Sequence, residues 1–126
     1  MGARGMVECE PKRAVMREGG AMHIIDVNTS FGKAVDPDPR YSLAALRAEL
    51  DRHEVACALA YSQRGVAYDY RGGNTEVLAA HRQTPWIIPV ATLNPPDSLG
   101  ANNAEWKRCM EQGVRAVRFF PEEQGW

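Results

Sequence analysis

Four short apolar runs recur along the chain, beginning near positions 23, 55, 87 and 114, an interval of about thirty residues. The stretches between them show helical spacing, as in Leu43, Leu46 and Leu50, which follow Ser42 as a candidate N-cap. Parallel strands require long crossover connections, which are usually helices. The alternation therefore predicts an α/β fold of successive βα units that form a parallel sheet.

The same patterns predict the bounds of the elements. Three strands follow the first one, over Val55–Tyr61, Trp86–Leu93 and Val114–Phe120. We expect helices over residues 43–53, over residues 74–83 with Asn74 as N-cap, and from Asn102 or Asn103 to a C′ glycine at Gly113. Residues 1–21 lack sustained apolar periodicity, and we expect them to be a disordered extension before a domain over residues 22–126.

The first run, Ile24-Ile25-Asp26-Val27-Asn28-Thr29-Ser30, ends in polar residues. Its apolar residues are β-branched, which predicts a strand that is covered on both faces. Asp26, Asn28 and Ser30 are spaced two residues apart, so in a regular strand they point to one side. We expect these three side chains to line one side of the C-terminal end of the strand.

This run resembles the first strand of the amidohydrolase superfamily, the metal-dependent TIM-barrel hydrolases, and in particular the amidohydrolase 2 branch. The opening motif of the family is Asp-x-His-x-His. Asp26 matches it, Phe31-Gly32 fits its usual continuation, and Asn28 and Ser30 occupy the two histidine positions. The stretches at residues 87–95 and 113–121 look like the third and fourth strands of the family, so the resemblance covers about residues 22–126.

The resemblance implies the first half, about four strands, of a (β/α)8 barrel, which has eight strands in all. For the family it implies hydrolysis or decarboxylation of a small carboxylate-bearing substrate by metal-activated water. The alternative is a non-catalytic βα module that binds a small anion or a partner, so whether the chain is an enzyme stays open. The remaining metal histidines and the catalytic aspartate of the family come from later strands, and no catalytic residue is assigned here.

Asn28 and Ser30, at the two histidine positions of the motif, also affect which metal ion could bind there. An asparagine and a serine keep the inward direction of the two histidines but lose their nitrogen ligands, and carboxamide and hydroxyl oxygens are poor ligands for zinc. They suit a hard cation or simple hydrogen bonding better. The sequence therefore disfavours a zinc site at Asn28 and Ser30, and it assigns no metal ligand.

In a TIM barrel the active site lies at the C-terminal ends of the strands. Position then nominates seven residues, of which all but Ser62 are substrate-binding candidates: Asp26, Asn28, Ser30, Ser62, Arg64, Asn94 and Arg118. Asp26, Asn28 and Ser30 have a structural alternative, which is to satisfy backbone groups of a turn. Arg118 suits a bidentate grip on a carboxylate or phosphate, and its alternative is an ion pair with Glu122 or Glu123. Arg64 opens a long loop, residues 64–73, that is typical of a lid, a binding loop or an association surface.

Composition limits the partners. The chain has 126 residues and a net charge of -1, which argues against nucleic-acid binding. No stretch approaches the roughly twenty apolar residues needed to cross a bilayer. Cys9, Cys57 and Cys109 are widely spaced, which favours reduced thiols, with Cys57 in a strand and Cys109 in a helix, and a cytoplasmic protein.

A sheet of four strands from a barrel would have two open edges and an uncovered apolar face. Three outcomes follow: a fragment that folds poorly, a homo-oligomer that completes a quasi-barrel, or docking onto a second half-barrel chain. A small-molecule ligand is the remaining partner expected.

Overall fold

The computed structural model describes residues 23–32 and 38–126. The elements are β1 (Ile24–Phe31), a 3-10 turn (Pro39–Tyr41), α1 (Leu43–Arg52), β2 (Val55–Ser62), α2 (Gln63–Ala67), α3 (Tyr70–Gln83), β3 (Ile87–Thr92), α4 (Leu99–Glu111), β4 (Ala116–Arg118) and α5 (Pro121–Gln124). The extension predicted for residues 1–21 lies outside the described residues.

The four strands form one parallel sheet in chain order, β1-β2-β3-β4. The sheet is curled into a half-barrel with helices between its strands, so the predicted α/β fold is confirmed. Ser30 pairs with Tyr61, Leu59 with Ile88, and Thr92 with Arg118. Because parallel strands keep one direction, all four C-terminal ends lie at the same end of the half-barrel.

The helices pack against the outer face of the sheet. One buried cluster joins Ala60 and Ile87 of the sheet to Val77 of α3, and a second joins Ala91 of β3 to Cys109 of α4. Side chains alternate along each strand, so the residues between these point to the inner face. We define the inner face by Ser30, Leu59, Tyr61, Ile88, Val90 and Arg118.

β1 is an edge strand, and the expectation that it is covered on both faces is wrong. Ile24, Ile25 and Val27 are 37%, 48% and 66% exposed. The β-branched composition indicated strand structure correctly. It did not predict how exposed the strand is, because the burial of a strand's two faces depends on which other elements pack against them.

The alternation along β1 is also interrupted. Asp26 pairs with Ala58 and Ser30 pairs with Tyr61, with a register shift between Asp26 and Thr29. Ala58 and Tyr61 point to opposite faces of β2, so their partners do too. The expectation that Asp26 shares a face with Ser30 is therefore wrong, because a bulge-like irregularity changes the parity.

Two helices begin earlier than predicted. Asp69 caps α3 and Ser98 caps α4, each by accepting a hydrogen bond from a backbone N–H of the first turn. Asn74 and Asn102 lie inside these helices, so their predicted role as caps is wrong. The loop predicted over residues 64–73 is instead largely helical, in α2 and the start of α3. Ser42 caps α1 as predicted.

Of the remaining sequence expectations, some are confirmed and one is wrong. Gly113 ends α4 with a φ of 104°, as expected of a C′ glycine. Cys109 is a free buried thiol, as predicted, whereas Cys57 is disulfide-bonded, so the expectation of a reduced thiol there is wrong. Burial raises the pKa of Cys109 to about 12. No helix in the described ranges combines the length and apolar character needed to cross a bilayer.

Candidate functional site

Arg118 occupies the centre of the candidate site, at the C-terminal end of the half-barrel. It ends β4, and its guanidinium carbon lies 5.4 Å from the centre of the Tyr61 ring at the end of β2. Its Nη1 donates a hydrogen bond to Oδ1 of Asn28 on β1. The guanidinium therefore crosses the opening between the first and last strands. We call Arg118, Tyr61, Asn28 and Ser30, together with the Phe120 ring described next, the mouth site.

Ser30 and an aromatic pair complete the mouth site. Nε2 of Gln63 donates a 2.7 Å hydrogen bond to Oγ of Ser30, which fixes that hydroxyl oxygen as an acceptor. The hydroxyl proton stays available for a further acceptor. The rings of Tyr61 and Phe120 lie 4.9 Å apart and tilted by 51°, so they form an apolar wall that begins at the Tyr61 ring beside the guanidinium.

Asp26 has a local role. Its Oδ1 accepts a 2.8 Å hydrogen bond from the backbone N–H of Asn28, two residues on. This is the structural alternative that the sequence left open for Asp26. This hydrogen bond supports the irregular backbone between Asp26 and Thr29. The Asp26 side chain points to the face opposite to that of Ser30. Of the three polar residues Asp26, Asn28 and Ser30 in β1, the structure brings Asn28 and Ser30 to the inner face.

Arg64 lies outside the mouth site, because it is held on the outer side of the sheet by two carboxylates. Its Nη2 lies 2.6 Å from Oδ2 of Asp69, and its Nη1 lies 3.3 Å from Oε1 of Glu76. These hydrogen bonds raise the pKa of Arg64. The Gly72 backbone N–H and then the Arg64 guanidinium lower the pKa of Asp69. The cluster ties α2 to α3, and Ser62 joins it through a 2.6 Å hydrogen bond to Glu76.

Asn94 follows β3 and is positioned by its backbone. Its N–H donates to Oδ1 of Asn102 and its carbonyl accepts from Nδ2 of the same residue, at 3.0 and 2.8 Å. The side chain borders a cavity of about 130 Å³ formed by Gly65, Val66, Ala67, Tyr68, Tyr70, Asn94, Glu123 and Gln124. The residues that line this cavity are different from those of the mouth site.

Sequence reasoning missed Tyr61, Gln63 and Phe120. The available signal was the position of Tyr61 at the end of β2, where a residue paired with Ser30 must face the same way. Gln63 directly follows β2 and Phe120 is the second residue after β4, and barrel sites are built at these strand ends.

The donor set of the mouth site does not suit a divalent cation. Oδ1 of Asn28 and Oγ of Ser30, the oxygens at the family's two histidine positions, already accept hydrogen bonds from Arg118 and Gln63. A guanidinium beside Asn28 would repel a dication. Across residues 23–32 and 38–126, no three His, Cys, Asp or Glu side chains lie together in a group that could hold a metal ion.

No protein-family model, no curated protein and no solved structure matches the chain. The function is therefore argued from the mouth site itself.

Proposed function

We propose that this chain is an amidohydrolase-like half-barrel whose mouth site binds a small carboxylate without the aid of a metal. The observation that carries the proposal is the position of Arg118, whose guanidinium faces the opening without an acidic partner among the described residues. The ion pair with Glu122 or Glu123, which the sequence left open, is not among the ion pairs of this part of the chain. A cation at a concave site attracts an anion.

The donor geometry supports a carboxylate as the anion. A guanidinium has five N–H donors, and the contact with Asn28 uses one atom of that fork. The remaining donors match the two oxygens of a carboxylate, and such paired hydrogen bonds are roughly twice as strong as neutral ones. The Asn28 amide nitrogen and the Ser30 hydroxyl proton are further donors at the same opening.

The aromatic wall supports a carboxylate with an apolar or aromatic body. Tyr61 presents its ring next to the guanidinium and Phe120 packs against that ring, and contact between rings contributes beyond the burial of area alone. Benzoate combines both features in one molecule, whereas acetate has the charge without the ring. We therefore expect benzoate to bind more tightly than acetate.

Isothermal titration calorimetry with sodium benzoate tests the proposal. Arg118→Gln keeps a similar side-chain length but removes the charge, so we expect benzoate affinity to fall at least about tenfold, the size of a lost charged hydrogen bond. Arg52→Gln is the matched control, because Arg52 is an exposed arginine at the end of α1. We expect its affinity to equal that of the wild type. Equal losses in both variants, or no binding by the wild type, would refute the mouth site.

The second candidate is the catalytic role that the family resemblance implies, hydrolysis or decarboxylation of a small carboxylate-bearing substrate. The curled βα architecture favours it, since this is the scaffold expected for the first half of such a barrel. Elemental analysis of purified protein distinguishes the candidates. A stoichiometric divalent metal, with benzoate binding lost on chelation, would favour the catalytic role, and unchanged binding after chelation would favour carboxylate binding alone. The cytoplasmic location stays a prediction.

A further inference from the structure

We infer that the cavity beside Asn94 binds a small organic ammonium ion, a protonated primary amine with a short apolar body. The cavity lies where the chain leaves β2, β3 and β4, between α2, the start of α3 and α5. This end of a parallel sheet is a usual position for ligand sites. The inference does not depend on the mouth site, whose proposed ligand carries the opposite charge.

The charge of the cavity wall is the first observation. Among the described residues that border the cavity, Glu123 on α5 is the only one that is charged at neutral pH. It is exposed, and it forms no ion pair within residues 23–32 and 38–126. Arg71 stacks on the Tyr70 ring, 5.6 Å from its centre, but Arg71 borders a different groove, between α3 and α4. The wall therefore attracts a cation and repels an anion.

The amide of Asn94 is the second observation. Its Oδ1 is buried, and no group in the part of the chain that the structure describes donates a hydrogen bond to it. Asn102 holds the Asn94 backbone, but no hydrogen bond to another described residue holds the Asn94 side chain. The amide can therefore turn its oxygen toward a donor in the cavity. Because a buried acceptor without a donor is unfavourable, a ligand that brings N–H groups gains affinity at this position.

Two other polar side chains of the wall are committed to the protein itself. The Tyr70 hydroxyl donates a 2.8 Å hydrogen bond to Oδ2 of Asp97. Nε2 of Gln124 donates a 2.9 Å hydrogen bond to the Leu93 carbonyl. The wall thus offers a ligand one carboxylate and one amide oxygen, which are both acceptors. An ammonium group matches them, because it has three donors and no acceptor.

The size of the cavity limits the apolar body of the ligand. The cavity volume is about 130 Å³. An apolar cavity of about 150 Å³ holds one benzene molecule, so this cavity has room for about five or six non-hydrogen atoms. The rest of the wall comes from Gly65, Val66, Ala67, Tyr68 and Tyr70. These residues suit a short alkyl group, and aromatic rings also attract a cation.

Amide chemical shifts in NMR titrations test the site with three probes of similar shape: isobutylammonium, isobutanol and isobutyrate. We expect isobutylammonium to shift the amides of Ala67 and Tyr68 with a dissociation constant of about a millimolar, the range of a ligand with so few non-hydrogen atoms. Isobutanol lacks the charge, and it should bind at least about threefold more weakly. Isobutyrate carries the opposite charge and should leave these amides unchanged.

Two substitutions identify the groups that bind the ammonium ion. Glu123→Gln keeps the size of the side chain but removes its charge, so it should weaken isobutylammonium binding about threefold. Asn94→Ala removes the acceptor and should weaken binding by about the same factor. Neither side chain has a partner among the described residues, so both variants should keep the circular dichroism spectrum of the wild type. The matched control is Glu122→Gln, because Glu122 precedes Glu123 on α5 and does not border the cavity.

Glu122→Gln should bind isobutylammonium as the wild type does. Equal losses in Glu122→Gln and Glu123→Gln would mean a general attraction between charges and would overturn the inference. Equal binding of isobutanol and isobutylammonium would overturn the choice of a cation. The absence of any shift at Ala67 and Tyr68 with the folded wild type would overturn the site itself.

Discussion

Arg118 on β4 donates a hydrogen bond to Asn28 on β1, although these residues belong to the two opposite edge strands of the sheet. The contact is between side chains separated by 90 residues in the chain. It is consistent with the curl of the sheet, which turns the inner faces of β1 and β4 toward one another. The position of one guanidinium is thus set by the sheet as a whole.

Asn28→Asp tests whether the charge of Arg118 is available to a ligand. The substitution keeps the size of the side chain and places a carboxylate beside the guanidinium, so it would compete with a bound anion. We expect benzoate affinity to fall about tenfold, with a change in the free energy of unfolding below about 1 kcal/mol, because the pair is exposed. Calorimetry and urea unfolding measure the two quantities.

The control for this variant is Asn103→Asp. Asn103 is exposed on α4, and the same charge change there should leave benzoate affinity unaltered. If the two variants lose affinity equally, the effect is one of net charge rather than of the mouth site.

Asn74→Ala should strongly destabilise the fold. Asn74 is 2% exposed, its Oδ1 accepts from the Thr92 backbone N–H at 2.7 Å, and its Nδ2 donates to the Thr92 carbonyl at 2.9 Å. The amide thus takes the place of a neighbouring strand at the end of β3. Each buried backbone group left without a partner costs about 1–3 kcal/mol, so we expect a loss of roughly 2–4 kcal/mol in urea unfolding.

Asn103→Ala serves as the comparison, because Asn103 is an exposed asparagine inside a helix. Its free energy of unfolding should change by less than about 0.5 kcal/mol, as is usual for surface substitutions. A loss in Asn74→Ala no larger than that of the control would mean that the amide contacts at Thr92 contribute little.

The role of Asn74 marks the limit of what sequence periodicity could predict. The spacing of the apolar runs was sufficient for the βα order, because strand and helix periods are local properties. An asparagine at the start of an apolar helical pattern is equally consistent with a cap and with a buried amide. The contact with Thr92 decides between them, and it depends on how α3 packs on β3.

For the candidate site, the sequence predicted which residues lie at strand ends but not which of them pair with each other. The position of Arg118 at a strand end followed from the order of elements, and so did those of Asn28 and Ser30. Arg64 has the same type of position, but Asp69 and Glu76 neutralise it. Asp69 is five residues away in the sequence, yet its contact with Arg64 requires the turn between α2 and α3. No local pattern separates Arg118, which has no acidic partner among the described residues, from Arg64, which has two.

Glu105 should make the fold sensitive to acid. Its side chain is 5% exposed, and burial would raise its pKa, but hydrogen bonds from Arg108 and Asn74 hold that pKa below the ordinary 4.5. A lowered pKa in the folded state means that protonation favours unfolding. The stabilisation is therefore complete above about pH 4.5 and declines as the pH falls from there through the lowered folded pKa.

Glu105→Gln provides the measurement. We follow thermal unfolding between about pH 3 and pH 7, which covers the range where carboxylates titrate. The midpoint temperature should decline less on acidification for the variant than for the wild type. Glu111→Gln is the control, since Glu111 is an exposed glutamate at the end of α4. Its profile should parallel that of the wild type, and identical slopes in all three proteins would contradict the role of Glu105.

The close approach of α2 and α3 depends on two glycines, Gly65 and Gly73. A Cβ atom added at Gly73 would lie 2.4 Å from the Gly65 backbone nitrogen and 2.5 Å from its Cα atom. These are backbone atoms, so the overlap cannot be relieved by a change of rotamer, and the two helices would have to separate. Separation would also disturb the cluster of Arg64, Asp69 and Glu76 that ties them together.

We therefore expect Gly73→Ala to lower the free energy of unfolding by about 2 kcal/mol or more, the range of overpacked cores, despite the better helix propensity of alanine. Gly100→Ala is the matched control, because Gly100 lies in α4 with nothing within 4 Å of an added Cβ atom. That substitution should leave stability unchanged or raise it by up to about 1 kcal/mol. Urea unfolding of the two variants gives opposite signs if steric contact at Gly65 is decisive, and equal small gains if α2 is free to move away.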